Sequence, residues 1–256
     1  MSDQLTLLGV GASAGTPVVG CECNTCKSTN KKNYRTRCSS VLSLKNGKNI
    51  LIDTSPDLRL QSLREGLTSV DAVLFTHHHA DHCHGIDDLR AFCQINKKQI
   101  PLYGNQFSMD ELNKKFQYAM VEPNGFWETP ILKPNVINEP FNLFGLAIEP
   151  IPVFHGKSLI NGYRLGKMAY LTDVSKIPDS SMEQLQNLDV LLLDCLRNEP
   201  HPTHFSYMES IDVAMELGAK KTFLIHMTHD LEYDALSKKL PESIYVGYDG
   251  LKINVN

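Results

Sequence analysis

The segment Thr76–His82, which reads Thr-His-His-His-Ala-Asp-His, constrains this chain more than any other part of its sequence. It follows the segment Val70–Phe75, which is apolar except for Asp71 and is predicted to be a β-strand. Side chains two positions apart in an extended segment point to the same side, so two of the histidines and Asp81 face one point. A turn directly after them can bring His82 to that point. The spacing His-x-His-x-Asp-His therefore predicts a metal site at the end of a strand.

Further histidine and aspartate residues directly follow other predicted strands. His155 comes after Ile148–Phe154, Asp173 after Ala169–Thr172, and His226 after Phe223–Ile225. Each of them alone is an ordinary polar loop residue, but together with the first motif they form a set large enough for more than one metal ion. Their nitrogen and oxygen atoms favour Zn²⁺ or Mn²⁺ and disfavour an iron–sulfur cluster.

The rest of the sequence alternates predicted strands and helices. An Asn-Gly pair predicts a hairpin between Val41–Leu44 and Asn49–Asp53. Helical spacing over Asp57–Glu65 ends at Gly66, and a capping box at Ser206 begins another helix. Further strands are predicted over Leu5–Val10, Leu146–Phe154, Gly162–Leu165, Val190–Leu193 and Ile244–Val246.

Composition sets the class of protein. With 42% hydrophobic and 21% charged residues, the chain is expected to be a soluble globular protein, and no apolar run predicts secretion or a membrane span. The 25 basic and 29 acidic residues give a net charge of −4 without a basic stripe, so we expect no nucleic-acid partner. The Pro- and Asn-rich segment Val121–Pro140 is predicted to be a long surface loop or lid. No linker divides the sequence, so residues 1–256 are expected to form one domain.

Three of the seven cysteines, Cys21, Cys23 and Cys26, lie within six positions. This spacing is typical of metal binding in a reducing compartment, so we expect a cytoplasmic protein. Three thiolates need a fourth ligand, and His229, three residues beyond His226, can complete a closed Cys₃His zinc site. The alternative is that the three cysteines are reduced loop residues.

Together these motifs resemble the metallo-β-lactamase superfamily over nearly the whole chain. The resemblance implies an α+β architecture, the αββα four-layer sandwich, with a dinuclear metal site on loops at the strand ends. It implies one metal ion on His77, His79 and His155, and a second on Asp81, His82 and His226. Asp173 would bridge the two ions, because a carboxylate has two oxygens to offer.

The cysteine trio and the second carboxy-terminal histidine narrow the resemblance to the phosphoribosyl cyclic phosphodiesterases of bacterial phosphonate degradation. That resemblance implies a structural zinc on the four residues of the Cys₃His set, and a homodimer. The resemblance also implies that His204 acts near the leaving group. The alternative is that His204, just before the helix, is a loop histidine with hydrogen-bonded ring nitrogens and no catalytic role. Asp53 matches an aspartate that supports the ligands in this superfamily, and a turn residue before Pro56 is the alternative. We expect Asp194 to support ligands at most, and His78 and His84 to be solvated.

The resemblance implies a metal-dependent phosphodiesterase with His204 and Asp173 as catalytic residues. Two divalent ions would activate water and bind phosphate oxygens, and His204 would protonate the departing alkoxide. The expected substrate is a small cyclic phosphate, phosphoribosyl 1,2-cyclic phosphate or a related ribosyl cyclic phosphate. Several basic residues could bind a second phosphate, and the sequence does not select among them: Arg35, Arg37, Lys157, Arg164 and Arg197.

Three other functions use parts of the same motifs. A transfer-RNA 3′-processing endonuclease shares the ligand set but usually carries a basic, glycine-rich arm, which this sequence lacks. A glyoxalase II-like thioesterase shares the first motif but adds a helical carboxy-terminal domain, whereas 30 residues follow His226. A zinc-binding interaction module would have lost active-site ligands, and none is missing. These comparisons favour the phosphodiesterase.

Overall fold

A computed structural model describes residues 2–120 and 132–255 of the chain, and their strands form two seven-stranded sheets. The strands of the first sheet are β1 (Asp3–Gly9), β2 (Ser39–Ser43), β3 (Asn49–Ile52), β4 (Ala72–Leu74), β5 (Ile100–Gly104), β6 (Leu132–Val136) and β14 (Lys252–Val255). They lie in the order β14-β1-β2-β3-β4-β5-β6, and β3 to β6 run parallel. The carboxyl ends of these four strands therefore lie along one edge of the sheet.

The second sheet, like the first, combines four parallel strands with antiparallel ones. Its strands are β7 (Phe141–Leu143), β8 (Leu146–His155), β9 (Ser158–Leu165), β10 (Met168–Leu171), β11 (Val190–Asp194), β12 (Lys221–Ile225) and β13 (Ile244–Val246). They lie in the order β13-β12-β11-β10-β9-β8-β7, and β10 to β13 run parallel.

Helices pack on the outer faces of both sheets. Those of the first half are α1 (Leu58–Glu65), α2 (Ala80–Cys83), α3 (Leu89–Asn96), α4 (Gln106–Lys115) and α5 (Gln117–Met120). Those of the second half are α6 (Asp179–Gln184), α7 (Tyr207–Leu217) and α8 (Tyr233–Ser237). Within the described ranges, no helix has the length and apolar character that a membrane crossing requires.

The alternation of side chains along β3 explains the layers. Ile50 and Ile52 point into the space between the two sheets, where they join one buried cluster with Leu192 of the second sheet. Leu51 points to the opposite face and joins a second buried cluster with Leu58 of α1. Full burial of each such side chain contributes about 1.5–3 kcal/mol. The result is the predicted αββα sandwich.

Local signals in the sequence explain several element boundaries. Gly47 has a φ of 80° in the turn that joins β2 to β3, as the predicted hairpin requires. Gly66 ends α1 in the left-handed conformation, and Ser206 forms the predicted capping box with Glu209 at the start of α7.

The predicted loop over Val121–Pro140 is wrong in its second half. Residues Leu132–Val136 form β6, which pairs in parallel with β5. Pro134 is compatible with this strand because β6 is the edge of the sheet, where a missing N–H leaves no ladder bond unmade. Residues 121–131 of that prediction lie outside the described residues. The assignment of residues 1–256 to one domain stays a prediction.

Candidate active site

The candidate site lies where the carboxyl ends of parallel strands from both sheets come together. Asp53 follows β3, Asp173 follows β10 within two residues, and His226 follows β12 directly. All three have a left-handed backbone, with φ values of 58°, 59° and 60°. Such a conformation costs a non-glycine residue about 1–3 kcal/mol and is concentrated at functional sites. The three residues therefore bend the chain away from the strand direction at the point where the candidate site lies.

The first predicted metal group is assembled in the structure. One ligand atom from each of its four members lies within 4.8 Å of the others: His77, His79, His155 and Asp173. His77 Nε2 lies 3.7 Å from Asp173 Oδ2, and the ring centroids of His77 and His79 are 4.5 Å apart. Three imidazoles and one carboxylate oxygen therefore converge.

The second predicted group is equally close and shares a member with the first. Its four members are Asp81, His82, Asp173 and His226. Asp173 Oδ1 lies 3.1 Å from His82 Nε2 and 3.4 Å from His226 Nε2. Asp81 Oδ2 lies 3.5 Å from each of the same two nitrogens. Asp173 therefore turns Oδ2 toward the first group and Oδ1 toward the second, as a bridging carboxylate would.

The ligand atoms are unpaired as well as close, which tests whether the site fits metal ions. Four of them are buried without a hydrogen-bond partner among the described residues: His77 Nε2, Asp81 Oδ2, His82 Nε2 and His226 Nε2. Leaving a buried polar atom unpaired costs about 1–3 kcal/mol, so this many in one place calls for a ligand. Tetrahedral ligands about 2.0–2.1 Å from a metal are about 3.4 Å apart, close to the separations in the second group. The residues present fit two divalent ions.

Asp53 sets the tautomers of two of these histidines. It is completely buried, and its Oδ2 accepts hydrogen bonds from His82 Nδ1 at 2.8 Å and from Thr76 Oγ1 at 2.7 Å. Thr76 Oγ1 in turn lies 3.0 Å from His77 Nδ1 and can accept its proton. Both rings therefore carry hydrogen on Nδ1 and direct a bare Nε2 at the cluster. This geometry favours the supporting role of Asp53 over the turn-residue alternative.

Two further groups lie beside the Nδ1 atoms of His155, His204 and His226. The carbonyl oxygen of Thr203 accepts a hydrogen bond from His155 Nδ1 at 2.8 Å. Asp194 Oδ1 lies 3.3 Å from His204 Nδ1 and 3.5 Å from His226 Nδ1. Asp194 can therefore accept from His204 Nδ1, whereas His226 Nδ1 is buried without a hydrogen-bond partner among the described residues.

His204 lies beside the first group without belonging to it. Its ring centroid is 4.8 Å from that of His155 and 4.9 Å from that of His226, on which it stacks. A grouping of His204 with Asp173, Asp194 and His226 is also compact. However, the two oxygens of Asp194 accept the backbone N–H groups of Asp173 and Phe205, at 3.0 and 3.1 Å. Asp194 is therefore occupied as a hydrogen-bond acceptor and is less suited to binding a metal. Its contact with His204 Nδ1 places Nε2 of the same ring 3.9 Å from Asp173 Oδ2.

Burial lowers the pKa of the histidines in the first group, whereas in the second group burial is outweighed by Asp173 and other carboxylates, which raise the pKa of His82 and His226. Burial holds the pKa of His77 well below its ordinary value, and it also lowers the pKa of His79 and His155. The first group therefore has neutral rings, the form that binds metal. Burial opposes ionisation of Asp173, but His226 and His82 hold its pKa well below the usual range. Four carboxylates of this site are buried, a negative charge that divalent cations would neutralise: Asp53, Asp81, Asp173 and Asp194.

The cysteine set is also assembled. His229 Nδ1 lies 3.2 Å from Cys21 Sγ, 3.4 Å from Cys23 Sγ and 3.4 Å from Cys26 Sγ. Tetrahedral zinc with bonds of about 2.3 Å to sulfur and about 2.0 Å to nitrogen sets sulfur and nitrogen about 3.5 Å apart, so the set fits this ion. The Cys26 N–H donates to Cys23 Sγ and lowers the pKa of the Cys23 thiol to about 6, which favours the thiolate that metals bind.

Two histidines in or next to the first motif, His78 and His84, lie outside these groups. His84 is exposed, as predicted. His78 was expected to be solvated, but it is half-buried, with its ring 5.0 Å from that of Phe107 and its Nδ1 buried. The side chain of His78 must point away from those of His77 and His79, because successive residues of an extended segment face opposite sides.

Sequence reasoning missed two residues that hold the rings in place. The Thr76 hydroxyl donates to Asp53 and can accept from His77 Nδ1, so it connects the two side chains. Its position directly before the first histidine could have identified it in the sequence. Thr203 orients His155 through its backbone carbonyl, which any residue type could supply. A contact of that kind leaves no trace in composition or spacing.

Comparison with known proteins agrees with this geometry. Residues 48–227 match the model of the β-lactamase superfamily domain. The chain belongs to the β-lactamase superfamily. It is 41% identical to a protein whose crystal structure is described as that of a new diphosphatase from the PhnP family, with a TM-score of 0.93 over 99% of this chain and 98% of that one. Zn²⁺-bound PqqB from Methylobacterium extorquens has the same fold, with a TM-score of 0.78, 18% identity and coverage of 98% and 100%.

A curated relative carries a different name. The chain is 39% identical over 251 residues to an octanoyltransferase of Porphyromonas gingivalis strain W83. This match covers 96% of the chain but 50% of the relative. The chain therefore spans about half the length of that protein.

Proposed function

We propose that this chain is a metal-dependent phosphodiesterase that hydrolyses a small cyclic phosphate, with phosphoribosyl 1,2-cyclic phosphate or a related ribosyl cyclic phosphate as its substrate. Membership of the superfamily and the PhnP-family relative support a metal-dependent hydrolase. The observation that carries the proposal is the pair of ligand groups joined through Asp173, each with buried atoms that lack a partner. Two neighbouring metal ions on such a pair would bind two oxygens of one phosphate group.

Each set of residues has a distinct task in this proposal. His77, His79 and His155 would hold one divalent ion, and Asp81, His82 and His226 the other, with Asp173 between them. Two bound ions, Zn²⁺ or Mn²⁺, would supply Lewis acidity for the attacking water and for the phosphate oxygens. Asp53 keeps the ring of His82, and through Thr76 that of His77, in the tautomer that leaves Nε2 bare. The Cys₃His set would hold a structural zinc.

His204 would act on the leaving group. Its Nδ1 faces Asp194 Oδ1 at 3.3 Å, and its Nε2 lies 3.9 Å from Asp173 Oδ2. A proton on Nε2 is therefore held beside the position where the phosphate must lie. From this position His204 can donate the Nε2 proton to the departing alkoxide, which leaves poorly without one.

Octanoyl transfer is the activity in the name of a relative of which the chain covers only half, so that name does not support the same activity here. Acyl transfer through a covalent intermediate needs an accessible nucleophile. In residues 2–120 and 132–255 the cysteines outside the Cys₃His set are all buried: Cys38, Cys83, Cys93 and Cys195. The His and Asp cluster supports hydrolysis at phosphorus instead.

A hydrolysis screen of the metal-loaded protein tests the proposal. The panel is phosphoribosyl 1,2-cyclic phosphate, a 2′,3′-cyclic nucleotide, a linear phosphodiester, a precursor transfer RNA, a diphosphate and two thioesters, one of them an octanoyl thioester. We expect the ribosyl cyclic phosphate to have the highest kcat/KM. A preference for the transfer RNA or a thioester would contradict the proposal, whereas a preference for the diphosphate would keep the hydrolase and replace its substrate.

A further inference from the structure

A histidine outside both ligand groups lies next to His204. His201 is flanked by Pro200 and Pro202, and its ring centroid is 5.3 Å from that of His204. The rings of His155, His204 and His201 thus form a row that leads outward from the first metal group, since His155 is 4.8 Å from His204. His201 is partly exposed, whereas His204 is buried. The row therefore ends at a residue that solvent can reach.

Hydrogen bonds fix which nitrogen of His201 carries the proton. The backbone N–H of Thr203 lies 3.4 Å from His201 Nδ1, and the Thr203 hydroxyl lies 3.1 Å from the same atom. A backbone N–H can only donate, so Nδ1 is the acceptor and the neutral ring carries its hydrogen on Nε2. Among residues 2–120 and 132–255, no side chain forms a hydrogen bond with His201 Nε2, so this N–H is available to a ligand.

The position of His201 is fixed relative to the metal groups. Thr203 accepts from His155 Nδ1 through its carbonyl oxygen and contacts His201 through its N–H and hydroxyl, so one residue holds both rings. The Arg197 guanidinium donates to the carbonyl oxygens of Glu199 and Pro200, at 3.2 and 3.0 Å. It therefore holds the loop that carries His201 and adds a positive charge to that loop, which favours an anionic ligand.

We propose that His201 binds the leaving-group part of the substrate through its Nε2–H, and that this part carries an anionic oxygen such as that of a second phosphate. The inference rests on the proposed function, because it takes His204 to mark the leaving-group side. If the two ligand groups hold the phosphate, its leaving oxygen lies at His204. The part of the substrate attached to that oxygen then lies on the far side of His204, next to His201. His201 is therefore a specificity-determining residue.

Three variants test this assignment in the metal-loaded protein. His201→Ala removes the donor, and His201→Gln places an amide N–H at a reach similar to that of Nε2. His84→Ala is the control, because His84 is an exposed histidine outside both ligand groups. A hydrogen bond to a charged group corresponds to about a 10- to 100-fold effect on binding. We expect the alanine variant to raise KM for phosphoribosyl cyclic phosphate by this factor with little change in kcat, and the glutamine variant to recover much of it.

The choice of substrate separates binding from a structural role. Bis(p-nitrophenyl) phosphate has no second phosphate, so its KM should rise far less in His201→Ala than that of the phosphorylated sugar. An equal rise in KM for both substrates, a fall in kcat without a rise in KM, or no recovery in His201→Gln would overturn the assignment. Metal content, measured for every variant, must equal that of the wild type for the comparison to count.

A binding measurement keeps this inference separate from the proposed function. Calorimetry on the metal-loaded protein compares ribose 1,5-bisphosphate with inorganic phosphate, without turnover. The wild type should prefer the bisphosphate, and His201→Ala should lose about 10-fold or more of that preference. If the wild type hydrolyses no phosphodiester, the proposed function fails, while a lost preference still supports His201 as the anion contact. An unchanged preference overturns the inference even if hydrolysis is confirmed.

Discussion

Replacing Asp53 by Asn tests how a buried carboxylate that touches no substrate prepares the candidate metal site. Asp53 Oδ1 accepts the Thr76 N–H at 2.8 Å, and Oδ2 accepts from His82 Nδ1 and Thr76 Oγ1 at 2.8 and 2.7 Å. An asparagine oxygen can keep the backbone contact. The amide NH₂ then replaces Oδ2 and faces two groups that both donate in the native structure.

The consequences can be followed atom by atom. The Thr76 hydroxyl can rotate to accept from the new amide, but it then donates to His77 Nδ1 and moves the hydrogen of that ring to Nε2. His82 Nδ1–H loses its acceptor, which leaves a buried donor unpaired or moves its hydrogen to Nε2 as well. An unpaired buried donor costs about 1–3 kcal/mol, and loss of such an orienting partner weakens metal binding about 10- to 100-fold.

Competition with a fluorescent zinc chelator measures the effect. We expect Asp53→Asn to release two of its metal ions at 10- to 100-fold lower chelator concentration than the wild type, with the Cys₃His zinc unchanged. Asp71→Asn is the matched control, because Asp71 is a buried carboxylate that bonds Lys48 and Lys98 and lies just before β4, at the strand end opposite the site. It should lower the free energy of unfolding without affecting metal release. Wild-type metal affinity in Asp53→Asn would refute the tautomer argument.

Two further substitutions separate the structural and catalytic assignments. Cys23→Ser should lower the zinc content by about one equivalent and reduce the melting temperature, because a structural zinc contributes folding energy directly; elemental analysis and calorimetry measure both, and unchanged metal content would show that the Cys₃His site is wrongly assigned. His204→Ala should lose about 10²- to 10⁴-fold in kcat on a sugar cyclic phosphate with its metal content intact. On bis(p-nitrophenyl) phosphate, whose phenolate leaves without a proton, the loss should be far smaller, and equal losses would remove the general-acid role.

The sequence predicts the site better than it predicts the sheet around it. Asp173 and His226 each come after a short apolar run, and the ends of parallel strands are where such side chains converge. Strand β6 could not be recognised, because a strand at the sheet edge buries few side chains and tolerates Pro134, so it lacks an apolar pattern.

The support of the site was predictable only where side chains provide it. Asp53 was a candidate because it matches an aspartate that supports the metal ligands in the superfamily that the sequence resembles. Thr203 acts on His155 through a backbone carbonyl and on His201 through a contact two residues away, and neither depends on a pattern that spacing can show. His201 itself became a candidate only when the structure placed it beside His204.

The proposed function depends most on the bridging role proposed for Asp173, and Asp173→Ala tests that role most directly. Metal content and the rate of cyclic phosphate hydrolysis are measured side by side in the wild type, Asp173→Ala, His79→Ala and the control His84→Ala. We expect about three metal equivalents in the wild type and the control, with two in the His and Asp groups and one in the Cys₃His set. Asp173→Ala and His79→Ala should keep the Cys₃His zinc and lose hydrolysis. A rate in Asp173→Ala within about tenfold of the wild type would contradict the dinuclear site.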